Sequence, residues 1–455
     1  MERSDRLGHE KIGKLLWSLS LPSILGMLAV TIYNVADTVF IGRSLGALGI
    51  AGISVSLPLL MSISTFGQAI GLGGASIISR ALGAKDKYKA NLTLNNLITI
   101  IFIINFIVIT IAYSNLHGLL KIFGANEEII PYAFEYASWA LPGTFFLNFL
   151  FVLMNVIRAE GNAKFPMISQ TVSAVLNLII DPIFIYVFEW GMMGAAFATT
   201  ISQFVGFALV LWYYTGYKKS TLKLDLKLML SLPNKEITKE TFALGAASFG
   251  RQIASSIMHI ILNNALLYYS GSTVIAAFGI IFRLSMFVFM PLFGINQGFM
   301  PIAGYNYGAK NNHRVLQVMN KAIVWSTLFC VFSFIVFFFF SKPLIRIFTT
   351  DTELIDIGTK AMRIFMLALP IIGFQIVGSG LYQALGKAKA SLFLAMARQL
   401  LFLIPFVILF PLKWGEVGIW YSFPAADFLA ALITSFMMLS MVKKLKRNIK
   451  ITVLP

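Results

Sequence analysis

Long apolar runs recur along the whole chain, separated by short polar breaks. Twelve stand out: 15–41, 50–78, 92–113, 131–153, 165–188, 191–213, 241–268, 274–302, 317–340, 359–384, 391–412 and 415–441. A helix that crosses the hydrocarbon core of a bilayer needs about 20 mostly apolar residues. The strands of a membrane barrel are about 9–11 residues long and alternate in polarity, which these runs do not. Within lipid a segment must satisfy its own backbone hydrogen bonds, and a helix does so. The pattern predicts an all-α membrane protein with twelve transmembrane helices.

Composition agrees. Hydrophobic residues make up 58% of the 455 residues and charged residues 12%, and the mean hydropathy is +0.81. Soluble domains hold about 25% charged residues, so a soluble fold is excluded. Cys330 is the only cysteine. It has no partner for an internal disulfide and no thiolate cluster for zinc.

The formal net charge is +17, and its placement decides its meaning. With the N-terminus inside, the inner segments hold 27 Lys and Arg and the outer segments seven, while Arg251 and Arg283 fall within helices. An excess of basic residues marks cytoplasmic loops. The expectation is a multi-pass protein of the plasma (inner) membrane with both termini cytoplasmic. Its positive charge would set topology and meet the anionic lipid bilayer, with no nucleic acid as partner. The first apolar run exceeds 20 residues and lacks a small-residue cleavage site, so it reads as a retained anchor.

The chain repeats itself. Gly83-Ala-Lys85 recurs as Gly308-Ala-Lys310, 225 residues on. Arg158-Ala-Glu-Gly-Asn-Ala-Lys164 corresponds to Gln383-Ala-Leu-Gly-Lys-Ala-Lys389, and Trp190-Gly191 to Trp414-Gly415. Gly67 and Gly71 form a GxxxG pair, as do Gly294 and Gly298, a spacing that lets helices approach closely. The longest polar stretch, 214–240, parts the halves. The expected domains are an N-terminal six-helix lobe, 1–225, and a C-terminal one, 226–455. Six is even, so the halves run the same way, as pseudo-symmetric bundles around a central cleft.

Ionisable residues inside such walls usually face polar cavities and mark an ion or substrate path. Asp37 shares a helix face with Thr31 and Asn34. Gln170, Ser173, Asn177 and Asp181 run at spacings of 3, 4 and 4, and Pro182 follows. Proline frees the carbonyl four residues back, which would put a loose oxygen beside a carboxylate. Oxygen ligands suit hard cations, and a carboxylate in a low-dielectric cleft exchanges protons more readily near neutral pH. The next helix adds Thr199 and Gln203. In the second half the positions matching Asp37 and Asp181 hold no acid, so ion coupling is expected in the first half. The second half carries neutral stripes instead: Gln252, Ser255 or Ser256, His259 and Asn263, and Gln375, Ser379 and Gln383. Asn34, Gln170, Ser173, Gln252, Ser256, His259, Asn263 and Gln375 are candidate substrate-lining positions. Arg283 and Asp427 are expected to pair as structural polar residues in the membrane.

Taken together, Ser20-Leu-Pro22, Asn34-Val-Ala-Asp37-Thr-Val-Phe-Ile-Gly42, Arg158-Ala-Glu-Gly-Asn162, Asn177-Leu-Ile-Ile-Asp181-Pro182 and Pro301-Ile-Ala-Gly304-Tyr-Asn306-Tyr-Gly308 resemble the prokaryotic multidrug and toxic compound extrusion (MATE) transporters over nearly the whole length. The resemblance implies two six-helix lobes and antiport, in which small cationic amphipathic compounds leave as H+ or Na+ enters. It maps the first-lobe cation site, including any Na+, to Asp37, Asn177, Asp181 and Thr199. No catalytic residue and no cofactor beyond the coupling ion are expected, the one candidate metal being Na+ at those four residues; the expected state is a monomer. Two rivals remain. A lipid-linked saccharide flippase would need cationic residues for a pyrophosphate, and only Arg251 and Arg283 are available. An intramembrane aspartyl protease would use Asp37 and Asp181 as its dyad, but no Gly-x-Gly-Asp is present.

Overall fold

A computed structural model describes residues 3–216, 220–270 and 272–453. Lys218 and Lys219, counted above among the inner basic residues, lie outside the described residues, as does the Asn34 side chain.

The chain is built from helices. In the first half these are α1 (Ile12–Gly46), α2 (Leu48–Gly83), α3 (Lys87–Ser114), α4 (Ile130–Ala159), α5 (Lys164–Val187) and α6 (Gly191–Thr215). They continue as α7 (Lys235–Ser270), α8 (Ser272–Gly308) and α9 (Asn312–Phe339). Then come α10, a pair Thr352–Phe365 and Leu369–Ala384 bent by 51°, α11 (Ala388–Leu409) and α12 (Pro411–Val453). Among the described residues, ten helices are long and apolar enough to cross a membrane, or eleven if the bent pair is one span. The twelfth expected span falls on α7. It is long enough, but its polar positions (Gln252, Ser255, Ser256, His259, Asn263 and Asn264) keep it from the apolar set. The chain is a multi-pass membrane protein.

Two compact units emerge. One comprises Met1–His9 and Leu21–Gly245, the other Glu10–Ser20 and Ala246–Pro455. The divide therefore falls within α7, beyond the polar stretch that separates the halves in sequence.

In the first unit α4 is the central helix, with 72% of its most apolar window buried. Glycines let α2 reach it. A Cβ built on Gly67 would lie 2.6 Å from the Asn148 Cα and 2.9 Å from its carbonyl oxygen. The approach is used polarly too: Gly67 N donates to Asn148 Oδ1 at 3.2 Å, and Asn148 Nδ2 donates to Asn105 Oδ1 on α3 at 2.7 Å. Three helices are thus tied through one buried amide.

The second unit has its own core, which includes Leu262, Ile281, Leu292, Met362, Ile419 and Trp420. The start of α1 belongs to this unit. Trp17 meets Trp325 edge to face at 5.7 Å, and the Arg314 guanidinium donates to the Glu10 carbonyl at 2.8 Å.

The sequence repeat is also a backbone repeat. Lys85 (φ 61) and Lys310 (φ 56) are both left-handed, as are Gly161 (φ 85) and Gly386 (φ 76), and Gly191 (φ 52) and Gly415 (φ 55). Lys85 N donates to Leu82 O and Asp86 N to Ala81 O; Lys310 N donates to Tyr307 O and Asn311 N to Asn306 O. These pairs of bonds close helix C-termini in the manner of a Schellman cap. The next helix is then capped alike, by Asp86 on Lys89 N and Asn311 on Arg314 N.

Candidate functional site

Helix α5 carries the polar stripe, and the structure shows where it points. Ser169 Oγ donates to Gly206 O at 2.8 Å and Ser173 Oγ to Ser202 O at 2.7 Å. Asn177 Nδ2 donates to Thr199 Oγ1 at 3.3 Å. The partners climb α6 in reverse order, as antiparallel neighbours must, so the upper stripe stitches α5 to α6. Ser173 spends its hydroxyl on that seam.

At the far end of the seam the chemistry changes. Asn177 Nδ2 also donates to Asp181 Oδ1 at 3.3 Å. Asp181 is in side-chain hydrogen-bond contact with Asp37 from α1. Asp37, Asn177 and Asp181 are 6%, 1% and 0% exposed. Asp37 Oδ1, Asn177 Oδ1 and Asp181 Oδ2 have no hydrogen-bond partner among the described residues. Buried polar atoms without partners are rare and costly. Here three oxygens from two helices are left in that condition at one place. Two carboxylates in contact cannot both stay ionised without a compensating proton or cation between them.

Local backbone positions the pair. The α-helix of α5 ends at Pro182, and Ile183–Val187 form a π-helical turn, a distortion frequent at functional sites. It is held from outside by Tyr186, whose hydroxyl donates to Phe40 O at 2.8 Å. Phe40 lies one turn beyond Asp37, so this bond fixes α1 against α5 beside the two acids. Sequence reasoning passed over Tyr33 and Tyr136. Both lie within electrostatic reach of Asp37 and Asp181. Tyr33 stands one helical turn before Asp37, which was the available signal; Tyr136 comes from α4 and had none.

The remaining candidates are scattered. The Gln170 amide oxygen is buried without a partner and lies against Gly26. On α7, Gln252, Ser256 and Asn263 are exposed, with Ser256 Oγ donating to Gln252 O at 3.2 Å. His259 Nδ1 is 2.8 Å from Ser255 O, and its ring meets Phe282 edge to face at 4.8 Å. Gln375 Nε2 donates to the Asp427 carbonyl at 2.6 Å, an interhelical tie.

The expected Arg283–Asp427 pair is corrected. Arg283 is exposed, and Asp427 is held by both branches of the Arg398 guanidinium, through Nε and through Nη2 at 3.1 Å. Arg398 lies in a π-helical stretch, Ala397–Leu403, of α11. Arg398 is one of the 27 basic residues assigned above to inner segments; it lies within a helix instead, and the charge asymmetry keeps its sign. Among the described residues no group of three or more His, Cys, Asp or Glu is arranged to hold a metal ion.

Comparison with known proteins now bears on this geometry. The multidrug export protein MepA of Staphylococcus aureus (strain MSSA476) is 29% identical over 423 residues, covering 92% of each chain. A crystal structure of MATE in the bent conformation superposes with a TM-score of 0.92 at 25% identity, covering 98% of this chain and 99% of that one. A solved chain called protein A is 39% identical, with a TM-score of 0.89 over 96% and 98% of the two chains. The MatE family model matches residues 22–183 and 247–409, one match in each half. The chain belongs to the MatE family, and so to membrane transporters rather than enzymes.

Proposed function

We propose that the protein is a secondary active multidrug exporter of the plasma membrane, which expels small cationic amphipathic compounds in exchange for H+ or Na+. Twelve helices cross the membrane with both termini in the cytoplasm. Residues 1–225 form the lobe that takes up the coupling ion, and 226–455 the other. The named activity of MepA supports export of drugs; the observation that carries coupling is the trio of unpartnered buried oxygens on Asp37, Asn177 and Asp181.

The site works by exclusion. With no cation present, Asp37 and Asp181 repel, and one carboxyl must hold a proton. A proton on either acid lets it donate to the other. Alternatively, Na+ takes the Asp37, Asn177 and Asp181 oxygens as ligands, with Thr199 Oγ1 beside them, since hard cations prefer oxygen donors. Either event removes a charge from a low-dielectric site. The empty and occupied forms then differ in which conformation they favour. A drug that prefers one form and an ion that prefers the other exchange by linkage. Exposed Gln252, Ser256 and Asn263 on α7 offer polar contacts to substrate.

The test is efflux of ethidium from proteoliposomes under separately imposed proton and sodium gradients. Asp37→Asn and Asp181→Asn are each expected to abolish gradient-driven efflux while the protein remains folded. Normal gradient-driven efflux by both variants would remove the coupling assignment.

A further inference from the structure

The segment between α6 and α7 is held in place against a membrane-spanning helix. Lys223 N donates to Asn91 Oδ1 at 2.9 Å, and Asn95 Nδ2 donates to Lys223 O at 3.2 Å. Asp225 N donates to Asn95 Oδ1 at 2.9 Å, and Thr99 Oγ1 donates to Met229 O at 2.7 Å. Leu222 is buried beneath, 1% exposed. Four bonds thus fix the short helix Leu226–Leu230 along the first turns of α3, alongside residues 91–99. Beyond that stretch α3 exposes Phe102, Ile103 and Phe106.

Such tethering should hide apolar side chains, yet here it displays them. Leu226, Leu230 and Leu232 are 72%, 87% and 93% exposed. A solvated loop has no reason to hold three leucines in water, since each would gain by leaving it. Charge supplies the second half of the pattern. Lys223, Lys227 and Lys235 are exposed around the leucines, and Lys85 and Lys87 are exposed at the start of α3. The acids nearby are largely committed. Asp86 caps Lys89 N, Asp225 caps Lys227 N, and Glu240 pairs with Arg80 at 2.8 Å; Glu236 is exposed.

Apolar side chains ringed by lysines, at the level where a span begins, match the boundary between acyl chains and anionic headgroups. We propose that residues 220–235 form a membrane-surface anchor that binds anionic phospholipid. Leu226, Leu230 and Leu232 enter the acyl boundary of the leaflet on the lysine-rich side. Lys223, Lys227 and Lys235, with Lys85 and Lys87, hold the phosphates of the headgroups. The lipid thereby grips the connection between the two halves. The anchor stands on its own observations and needs neither Asp37 nor Asp181.

The full chain is tested after reconstitution. Cysteine is placed singly at Leu230→Cys in a Cys330→Ser background, and at Lys310→Cys as an exposed loop control. Each is labelled with an environment-sensitive fluorophore. The vesicles are phosphatidylcholine alone or a 3:1 mixture with phosphatidylglycerol. The 230 label is expected to be quenched by shallow brominated lipid at least about fivefold more strongly than the 310 label, and to resist aqueous iodide. Equal iodide quenching at the two sites would overturn the proposal. So would protection of the 230 label that appears only when a cytosolic extract is added, which would assign the face to a protein. With the lysines intact, brominated phosphatidylglycerol should quench the 230 label better than brominated phosphatidylcholine. Lys223→Gln/Lys227→Gln/Lys235→Gln should reduce that preference by at least about fivefold, since even one surface lysine contributes about that factor, the equivalent of about 1 kcal/mol. An unchanged preference would refute the phosphate contacts. Neither readout requires transport, so the anchor and the coupling site fail independently.

Discussion

Replacing Asp427 with alanine separates a structural ion pair from a coupling carboxylate. Asp427 is 1% exposed and its only ion-pair partner among the described residues is Arg398, whose side chain keeps 24% exposure. Removing one member of a buried pair costs about 3–5 kcal/mol, because the other is left charged and uncompensated. Water reaching the guanidinium moderates that penalty, so about 3 kcal/mol is expected. For a unit of this size each kcal/mol moves the midpoint by about 2–4 °C, which gives a fall of about 6–12 °C. The assay is thermal unfolding in detergent, read by fluorescence-detected size exclusion. Arg398→Met alone should lower the midpoint comparably, and Asp427→Leu/Arg398→Met should regain at least half of the loss, since apolar replacement of a whole pair is often neutral. At permissive temperature Asp427→Ala should keep its ion-dependent efflux. If Asp427→Ala melts like the wild type yet loses ion dependence, the assignment of coupling to the first half is refuted.

Other consequences are open to measurement. Gly67→Ala should cost about 1–3 kcal/mol, because the new methyl meets the Asn148 backbone, which cannot swing aside; Gly279→Ala, where nothing lies within 4 Å, is the control and should be neutral or better. An unaffected melting point for Gly67→Ala would contradict the close contact. Lys310→Gly should raise stability by about 0.5–1 kcal/mol, since a left-handed backbone costs an L-residue about 1–2 kcal/mol and part is returned through the unfolded chain; a lower melting point would count against the cap. Asn263→Ala should change which dyes are exported more than it changes ion dependence, read by comparing several substrates under one gradient.

Run length made most of the helices legible, because lipid demands unbroken apolar segments and little else in a protein does. The run 241–268 announced α7 as well, although polar side chains at helical spacing keep that helix out of the apolar set. Asp37, Asn177 and Asp181 were readable because carboxylates and an amide at i, i+4 spacing are costly on an apolar helix and so announce themselves. The contact between Asp37 and Asp181 joins residues 144 apart in sequence, and only the tertiary arrangement of α1 against α5 creates it. Arg398 shows the opposite failure. It stands ten residues into α11, and its charge suggested a loop, whereas the choice of Asp427's partner depended on which cation the packing of α11 and α12 brought near. The bend in α10 comes just before Pro370, and the run 359–384 passes over it as one unbroken apolar segment.

The pairing of Arg398 with Asp427 has an electrical consequence. A carboxylate clasped permanently by a guanidinium is neutral as a unit, so membrane voltage does no net work on it whichever way that half of the molecule moves. Voltage supplies about 2.3 kcal/mol per elementary charge per 100 mV, and it acts on whatever net charge moves across the field during turnover. On the coupling proposed above, this pair adds nothing to the electrical input that Asp37 and Asp181 would collect.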